Sequence, residues 1–401
     1  MISVEEARAR VLDGLHPTPP EVAPLAEAWG RVGATPVVAR LHQPPADVSA
    51  MDGYAVRGAD GTLGARLRLV GSAPAGHPWD GTVGPGEAVR VFTGSFVPGG
   101  ADTILLQEDA TESDGWVTVN EAVAPARHIR RAGQDFSAGD LLVPAGRRLT
   151  ARDIGLAAAG NHPWIAVHRR PRVAILATGD EIALPGEPIP PGGIVSSNAH
   201  ALAAFARALG AEPIVLPIAI DDLQAIAAGA DAARGADILV TTGGASVGLH
   251  DLVQQGLAQR GMELDFWKIA MRPGKPLMFG RVGELPVLGL PGNPVSALVC
   301  AVLFLLPALS RLSGLPAAPP PRVRAVLGAP LPANDHRADH LRARLTETED
   351  GTLVATAFER QDSAMLRLLA NADALILRAP HAPPAAAGET VDVIRLGTLG
   401  L

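Results

Sequence analysis

The chain has 401 residues, more than one hydrophobic core usually serves, so we expect several domains. Apolar residues make up 47% and charged residues 19%, which is typical of a folded protein and excludes a disordered one. The net charge of −7 comes without a long run of Lys or Arg, which argues against a nucleic-acid surface as the main function. The single cysteine, Cys300, excludes a disulfide framework and a cysteine-based zinc site within one chain.

The sequence shows no segment that we predict to enter a membrane. Its N-terminus lacks the apolar core of a signal peptide. The most apolar stretch, 295–309, is shorter than the ~20 residues of a membrane span and contains Pro307. We therefore expect a buried helix there, with Cys300 as inert packing, and a cytoplasmic protein that does not bind membranes.

The first 170 residues are predicted to be mostly strands and turns between two helices. Apolar residues recur at helical spacing over 3–15, which predicts the first helix. Short apolar runs between Gly, Pro and Asp clusters indicate strands over 35–150. The second helix is predicted at 150–159, with Thr150 as its N-cap and an end near Gly160.

From residue 171 the pattern alternates between strands and helices. We predict strands at 172–177, 213–217, 237–241 and 286–290, and helices at 198–209, 222–233, 251–260 and from about 294. Asn198 is predicted to cap the first of these helices. The alternation predicts a three-layer α/β domain with a mostly parallel sheet. After the Pro-rich connector 316–322 we expect a small strand-rich domain, whose last strand, 390–395, should be an edge or half-buried strand.

Three Gly-rich loops of this α/β segment each follow a predicted strand. They span 177–181, 242–248 and 290–296. Ligands bind at the carboxyl ends of parallel strands, glycines let the backbone approach a phosphate, and the following helix favours an anion. Turning alone would account for one such loop. Three of them favour a phosphate or nucleotide site, although none has the spacing of a P-loop or a dinucleotide fingerprint.

A cationic segment at 266–276 carries Lys268, Arg272 and Lys275 on a turn stiffened by Pro and Gly. Arg can hold an oxyanion with two N–H groups, whereas Lys acts as a point charge. The segment therefore suits an anionic substrate, and an ordinary solvated basic turn is the alternative.

Carboxylates supply the other candidate ligands. Those beside turns or Gly-rich loops are Asp52, Asp135, Asp180, Glu181, Asp221, Asp222 and Asp251. Mg²⁺ usually takes one or two carboxylates together with water and substrate phosphate, whereas a lone Asp often serves as a turn or N-cap residue. The histidines show no metal-binding spacing, and there is no Gly-x-Ser-x-Gly nucleophile motif.

Seven segments, in order, resemble the motifs of MoeA proteins and of the gephyrin E domain. They are 49–56 (SAMDGYAV), 92–95 (FTGS), 130–135 (RRAGQD), 178–181 (TGDE), 243–248 (GGASVG), 272–276 (RPGKP) and 289–296 (GLPGNPVS). The resemblance covers nearly the whole chain, which makes chance an unattractive explanation. The sequence is therefore identified as similar to the MoeA family of molybdenum insertases.

The resemblance implies four regions. Region I would be elongated and combine 1–41 with 139–170, and region II, 42–138, would be a β-rich insertion within it. Region III, 171–317, would be the α/β domain that binds molybdopterin, and region IV, 318–401, a C-terminal β-barrel-like domain. Family members are homodimers in which regions III and IV of one subunit and region II of the other form the active site.

The resemblance also implies the reaction: adenylyl-molybdopterin and molybdate would give the molybdenum cofactor and AMP, with Mg²⁺. The catalytic positions would be Asp52, Thr93, Glu181, Lys268 and Lys275, and the metal positions Asp135, Glu181, Asp221 and Asp251. The substrate-binding positions would be Gly179, Asp180, Gly243, Gly244, Ser246, Gly248, Arg272, Pro276, Pro291, Gly292, Asn293, Pro294, Ser296, Arg342 and Ser363. Further partners would be molybdopterin adenylyltransferase and molybdoenzyme chaperones.

Several positions depart from the family pattern. They are Arg272 in place of Lys, Gln134 in place of Glu, Ser196 in place of Asp, Leu249-His250 in place of a more acidic pair, and Asp362 in a loop that should favour anions. Such changes would tune the enzyme or mark a less active paralogue. The rival hypotheses are a scaffold protein that keeps the fold without the reaction, a molybdopterin adenylyltransferase, and a generic nucleotide-binding α/β enzyme.

Overall fold

The computed structural model describes the backbone of residues 1–243 and 249–401, and the side chains of 1–243 and 252–401. Short strands dominate the first 170 residues. In chain order the elements are α1 (Val4–Leu12), β1 (Pro20–Pro24), α2 (Leu25–Ala28), β2 (Val37–Val38), β3 (Val48–Ser49), β4 (Gly53–Val56), β5 (Arg66–Ala73), β6 (Glu87–Val91), β7 (Thr103–Leu106), β8 (Ala110–Ser113), β9 (Trp116–Val119), β10 (Ile129–Arg130), β11 (Leu141–Val143), α3 (Ala151–Ala159) and β12 (Trp164–His168).

Both predicted helices of this part are confirmed, and local hydrogen bonds explain where they begin. The Ser3 hydroxyl accepts a hydrogen bond from the Glu6 N–H at 3.0 Å, which caps α1. At α3, Thr150 and Asp153 form a capping box in which each side chain accepts from the other's backbone N–H.

Two distant segments of the chain pair with each other in region I. β1 runs antiparallel to β12, and β2 runs antiparallel to β11. Of the intervening strands, β3 pairs with β10, and the other six form a separate sheet of order β7-β4-β6-β5-β9-β8. Region II is thus an insertion between the two pairing segments of region I.

Region III contains a second six-stranded sheet. Its elements are β13 (Arg172–Thr178), β14 (Ile182–Ala183), β15 (Ile194–Val195), α4 (Asn198–Ala208), β16 (Glu212–Val215), α5 (Leu223–Ala232), β17 (Ile238–Gly243), α6 (Leu249–Ala258), β18 (Met262–Trp267), β19 (Met271–Arg272), β20 (Met278–Val282), β21 (Leu285–Leu290), α7 (Pro294–Cys300), a π-helical turn (Ala301–Leu305) and α8 (Leu306–Leu312). The sheet order is β16-β13-β17-β21-β20-β18; the first four strands are parallel, and β20 runs antiparallel to both of its neighbours, β21 and β18. The sequence analysis did not predict β18 and β20.

The core of region III lies on both faces of this sheet. Val173 and Ile175 of β13 belong to one buried cluster with residues of α1, α4 and α7, whereas Ala174 and Leu176 belong to a second cluster with residues of α5 and α6. Successive side chains of a strand point to opposite faces, so a continuous apolar run needs helices on both.

The apolar stretch predicted to be a buried helix is the helix Pro294–Leu312. It is the one described helix long and apolar enough to cross a membrane, but 83% of its most apolar 18-residue window is buried inside the protein. Cys300 is fully buried there, and burial raises the pKa of its thiol. The helix is therefore an internal core element, as predicted.

Region IV is a small closed barrel. Its elements are β22 (Val323–Leu327), β23 (Ala338–Glu347), β24 (Leu353–Ala357), α9 (Leu366–Ala370), β25 (Ala374–Arg378) and β26 (Thr390–Arg395). The strands pair in the order β23-β24-β22-β26-β25, and the pairing of β23 with β25 closes the barrel. β26 therefore has a neighbour on each side, so its polar–apolar alternation reflects half-burial and not an edge position. The short strand β19 of region III adds to β23 in parallel and joins the two regions.

Candidate active site

A cavity of about 160 Å³ lies at the carboxyl ends of the parallel strands. Residues of the predicted loops 177–181 and 290–296 line it, together with Thr242 and Gly243, which are the described start of the loop 242–248. The strand register brings them together, because Thr178 pairs with Gly243, and Thr242 pairs with Leu290. The predicted residues that line this cavity are Glu181, Gly243, Gly292, Asn293 and Pro294.

Two loop positions require glycine. Gly179 and Gly243 have φ angles of +145° and +144°, a region that L side chains rarely adopt. A Cβ on Gly243 would also lie 2.1 Å from the backbone oxygen of Thr178. The ends of β13 and β17 can therefore approach each other closely only because Gly243 has no side chain.

Asn198 ties two of the loop segments together. Its amide nitrogen donates to the Thr242 hydroxyl at 2.9 Å and to the Gly292 carbonyl at 2.7 Å. The prediction that Asn198 caps α4 is wrong, since the cap position belongs to Ser197, which makes no side-chain cap bond. Sequence reasoning missed this role because a polar residue at a helix start is usually a cap, and the loop partners are 44 and 94 residues away.

Three carboxylates gather beside the β13 loop. The backbone N–H of Asp221 donates to a carboxylate oxygen of Asp180 at 2.9 Å. Burial raises the pKa of Asp221, and the negative charges of Asp180 and Glu181 raise it further. Within the described side chains, no three His, Cys, Asp or Glu residues already converge in the geometry of a metal site.

Region IV reaches the third loop through Ser363. The Asn293 amide donates to the Ser363 hydroxyl at 2.9 Å, and the Val295 N–H donates to the Ser363 carbonyl at 3.1 Å. Ser296, in the first turn of α7, is 5% exposed. A residue of region IV thus lies directly against the start of the helix that follows the third loop.

Arg342 lies near Ser363 and is 1% exposed. Its Nε donates to the Gln361 amide oxygen at 3.2 Å and its Nη1 to the Asp362 carbonyl at 2.8 Å, whereas its buried Nη2 has no hydrogen-bond partner among the described atoms. Burial lowers the pKa of Arg342, and the charge of Asp362 opposes that shift. The Asp362 carboxylate itself accepts from the Ala364 N–H at 2.8 Å and stabilises the turn.

The cationic segment forms a small loop closed by backbone hydrogen bonds. The Lys268 N–H donates to the Leu277 carbonyl at 3.0 Å, and the Ile269 N–H donates to the Lys275 carbonyl at 3.0 Å. The Lys268 ammonium lies 3.8 Å from the Trp267 ring centroid, Lys275 is exposed, and Pro276 is half-buried. The two lysines are therefore the cations of this loop that make no ion pair within the described part of the chain.

Arg272 differs from the expectation of a free cation. Its Nε donates to the Asp339 carboxylate at 2.8 Å, a second nitrogen bonds the other oxygen of Asp339, and Nη1 lies 3.4 Å from Asp335. Hydrogen bonding to Asp339 raises the pKa of Arg272. The sequence could not reveal this pairing, because the partner carboxylates are more than 60 residues away.

Asp52 and Thr93 of region II form a compact pair. The backbone N–H and the hydroxyl of Thr93 donate to one oxygen of Asp52 at 2.7 and 2.8 Å. These bonds lower the pKa of Asp52, so its carboxylate is held in the charged form. These two side chains belong to two separate motifs of the sequence, 41 residues apart, and the fold brings them into contact.

Asp135 is exposed, and its backbone N–H donates to the Gln43 carbonyl at 2.9 Å. The neighbouring Gln134 accepts from the Arg131 N–H at 3.1 Å, so Gln fills this turn position with a hydrogen bond. In the described part of the chain no hydrogen bond or ion pair links Asp52, Thr93 or Asp135 to region III. Among the described residues, the two groups of predicted positions are thus not joined by a hydrogen bond or an ion pair.

Some predicted positions lie outside the described residues. They are Gly244, Ser246 and Gly248, together with the side chain of Asp251. The backbone shows that α6 begins at Leu249, so Asp251 does not precede this helix as its cap. Ser196, where the family pattern has Asp, is 7% exposed and lines the 160 Å³ cavity.

Comparison with known families covers nearly the whole chain. Residues 2–160 match the MoeA N-terminal region (domain I and II). Residues 174–311 match a "probable molybdopterin binding domain", and residues 324–396 match the MoeA C-terminal region (domain IV).

Individual relatives agree with these matches. A molybdopterin molybdenumtransferase of Haemophilus influenzae is 33% identical, with 98% of each chain covered. Molybdopterin molybdenumtransferase 2 of Mycobacterium tuberculosis is 38% identical, with 94% of this chain and 95% of the relative covered. A solved structure of a molybdopterin biosynthesis MoeA protein from Pyrococcus horikosii superposes with a TM-score of 0.87 at 29% identity, covering 98% of this chain and 99% of that one.

Proposed function

This chain belongs to the MoeA family, and from that premise we propose that it is a molybdenum insertase, which converts adenylyl-molybdopterin and molybdate to the molybdenum cofactor and AMP. Its relatives of nearly equal length are named molybdopterin molybdenumtransferase. The observation that carries the proposal is the cavity at the carboxyl ends of the parallel strands, which the glycine loops and Glu181 line and whose residue Asn293 bonds Ser363 of region IV. This is where an open α/β sheet binds a phosphorylated ligand.

The loops would bind the phosphates and pterin of the substrate. Gly179, Gly243 and Gly292 leave the backbone open to close approach, and the loop from Pro291 to Pro294 leads into the N-terminus of α7. Gly244, Ser246 and Gly248 would continue this surface. The amide of Asn198 would hold the β17 and β21 loops at a fixed spacing, which reduces the entropy lost on binding.

Asp180, Glu181 and Asp221 suit Mg²⁺, which pairs few carboxylates with water and substrate phosphate oxygens. Their mutual repulsion, visible in the raised pKa of Asp221, would be relieved by a divalent cation. Asp251 is proposed as a further ligand of the same ion. When bound, Mg²⁺ would neutralise phosphate charge, while the carboxylates keep the phosphoanhydride oriented for cleavage.

Molybdate, a tetrahedral dianion, needs cations and hydrogen-bond donors. Lys268 and Lys275 would supply point charges, and Ser296, Ser363 and the unpaired Nη2 of Arg342 would supply donors. Arg272 and Pro276 are proposed to shape this wall, with Arg272 fixing region IV through Asp339. This scheme uses no protein nucleophile, and release of AMP would make the exchange irreversible.

A second copy of the chain would complete the site. The described part of one chain shows no link between Asp52, Thr93 or Asp135 and region III, so we propose a homodimer whose region II reaches across to the partner's cavity. Asp52, held ionised by Thr93, would then act on the bound substrate, and Asp135 would lie near the cation. A cytoplasmic location and contacts with molybdopterin adenylyltransferase and molybdoenzyme chaperones belong to the same proposal.

The decisive experiment measures AMP release from adenylyl-molybdopterin by the purified chain with Mg²⁺, with and without molybdate. We expect release that depends on molybdate and falls by at least about a hundredfold in Asp52→Ala. Asp80→Ala is the matched control, because Asp80 is an exposed region II carboxylate with no hydrogen bond or ion pair in the described part of the chain. Bound adenylyl-molybdopterin without AMP release would instead support the rival hypothesis of a binding paralogue.

A further inference from the structure

A second and larger cavity, of about 400 Å³, lies between α1, region III and the barrel of region IV. Its wall includes the apolar side chains of Leu303, Leu377 and Ile394. Its volume is within the range of small-molecule sites. It shares no lining residue with the 160 Å³ cavity of the proposed active site, so it needs an explanation of its own.

The rim of this cavity is cationic. Four arginines line it: Arg8, Arg322, Arg324 and Arg378. Arg324 lies 3.9 Å from Asp392, and Arg378 donates to the carbonyls of Pro332 and Pro383. Arg8 and Arg322 make no hydrogen bond or ion pair with the described residues, which leaves two guanidinium groups without a partner.

These two unpaired arginines are close enough to repel each other. Burial lowers the pKa of Arg8, the charge of Glu5 opposes the shift, and the charge of Arg322 lowers the pKa further. The other lining carboxylates are already engaged, since Asp339 pairs with Arg272 and Asp392 lies next to Arg324. Only Glu5 remains to offset the positive charge, so the cavity favours an anion.

His340 adds a polar group to the cavity wall. The side chain is 5% exposed, and its buried Nδ1 has no hydrogen-bond partner among the described atoms. Buried polar atoms are nearly always hydrogen-bonded, so this unpartnered nitrogen is an unusual feature of a residue in the wall, but it has almost no accessible surface and does not itself contact the cavity.

We propose that this cavity binds an organic phosphate, with the phosphate between Arg8 and Arg322 and the organic body against Leu303, Leu377 and Ile394. A dianion matches two unpaired guanidinium groups, which bind phosphate with paired N–H donors. Inorganic phosphate alone would leave most of the 400 Å³ and the apolar wall unused. The site is separate from the proposed insertase site and does not depend on that function.

Calorimetric titration of the full chain with phenyl phosphate tests the proposal, with benzoate and inorganic phosphate as comparison probes. We expect saturable binding of phenyl phosphate that is tighter than that of either comparison probe. Arg8→Gln and Arg322→Gln should each weaken it by about tenfold or more, since each removes a charged donor. Arg324→Gln is the matched control, because this arginine lines the same cavity but lies beside Asp392, and this variant should bind phenyl phosphate like the unmodified chain.

Thermal unfolding of each variant would verify that the fold is kept, which is expected because neither arginine makes a hydrogen bond or ion pair with the described residues and Arg322 is exposed. Binding that persists in the double variant Arg8→Gln, Arg322→Gln would belong to another site and would overturn the proposal. Equal binding of benzoate and phenyl phosphate would contradict the choice of phosphate.

Discussion

Single side chains set the spacing of the loops around the proposed active site. Asn198 bonds one residue at the end of β17 and one in the loop after β21, so its amide fixes two strand ends at once. The same residue begins α4. Its position is therefore determined by a helix, and rigid placement of this kind suits a binding site.

Asn198→Ala should lower the free energy of unfolding by about 1–3 kcal/mol, because two partly buried hydrogen bonds are lost. It should also raise the KM for adenylyl-molybdopterin, since the loops lose their fixed spacing. Urea unfolding and AMP-release kinetics measure the two effects. Asn371→Ala is the control, because Asn371 donates one exposed bond to the Arg367 carbonyl and should change stability by less than about 1 kcal/mol. An unchanged KM in Asn198→Ala would contradict the positioning role.

His340 should make the protein sensitive to acid. Burial lowers the pKa of His340 to about 4, while the Arg272 carbonyl and Glu5 act against this shift and Arg322 adds to it. In the unfolded chain this histidine takes up a proton near pH ~6.5, whereas in the folded chain it stays neutral down to about pH 4. The free energy of unfolding therefore decreases as the pH falls from ~6.5 towards 4.

The loss should reach up to about 3 kcal/mol in wild type between pH 7 and 4, and His340→Gln should remove it. Urea unfolding at a series of pH values gives the comparison, with His77→Gln as the control because His77 is exposed. Identical pH dependence in wild type and His340→Gln would refute the assignment.

Short strands can decide how domains are joined. β19 has two residues, yet it leaves region III and pairs with β23 of the barrel. The ion pair between Arg272 and Asp339 sits on this pairing, with the Asp339 side chain 6% exposed. The junction thus combines backbone pairing with an ion pair in which the Asp339 side chain is buried and the Arg272 side chain is exposed.

Arg272→Ala should lower the free energy of unfolding by about 1–3 kcal/mol, because it leaves the Asp339 charge buried without this partner. The effect stays in this range because the Arg272 side chain is exposed, so solvent already screens the pair. Adding Asp339→Asn should recover part of the loss in a double-mutant cycle. Arg234→Ala is the control, since its pair with Asp231 is exposed and should contribute less than about 1 kcal/mol. Additive effects of Arg272→Ala and Asp339→Asn would show that the pair is not coupled.

The elements predicted from sequence are those with strong local signals. α1, α3 and the helix Pro294–Leu312 have caps or long apolar patterns and were predicted close to their observed bounds. β18 was missed because this edge strand is mostly exposed and has a weak apolar pattern, and β20 was missed because Gly280 interrupts its short apolar run. Their antiparallel pairing is a tertiary property, since it depends on which strands the chain brings together.

At the scale of the whole molecule, the predicted site residues fall in two regions. Asp52 and Thr93 lie in turns beside the region II sheet, whereas Glu181 and Asn293 line the cavity at the end of the region III sheet. A homodimer in which each region II completes the partner's cavity would unite them. Closed two-fold assembly also makes the two sites equivalent.

Co-expression of differently tagged Asp52→Ala and Glu181→Ala chains tests this arrangement. A purified mixed dimer would contain one intact site if the residues act across the interface, so it should release AMP at about half the wild-type rate. Each parent homodimer should be inactive. An inactive mixed dimer would mean that both residues act within one chain, and a monomeric protein in sedimentation would exclude the shared site.

The family, most of the alternating strands and helices of region III, and the glycine loops that follow three of its strands can be predicted from the sequence, because glycines, caps and apolar periodicity act over a few residues. The partners of Arg272, the loop contacts of Asn198 and the orphaned nitrogen of His340 do not follow from it. They depend on residues far apart in the chain that meet only when the regions pack. Charge pairing and burial are set by that packing, and so only the folded chain shows which of its cations are free to bind an anion.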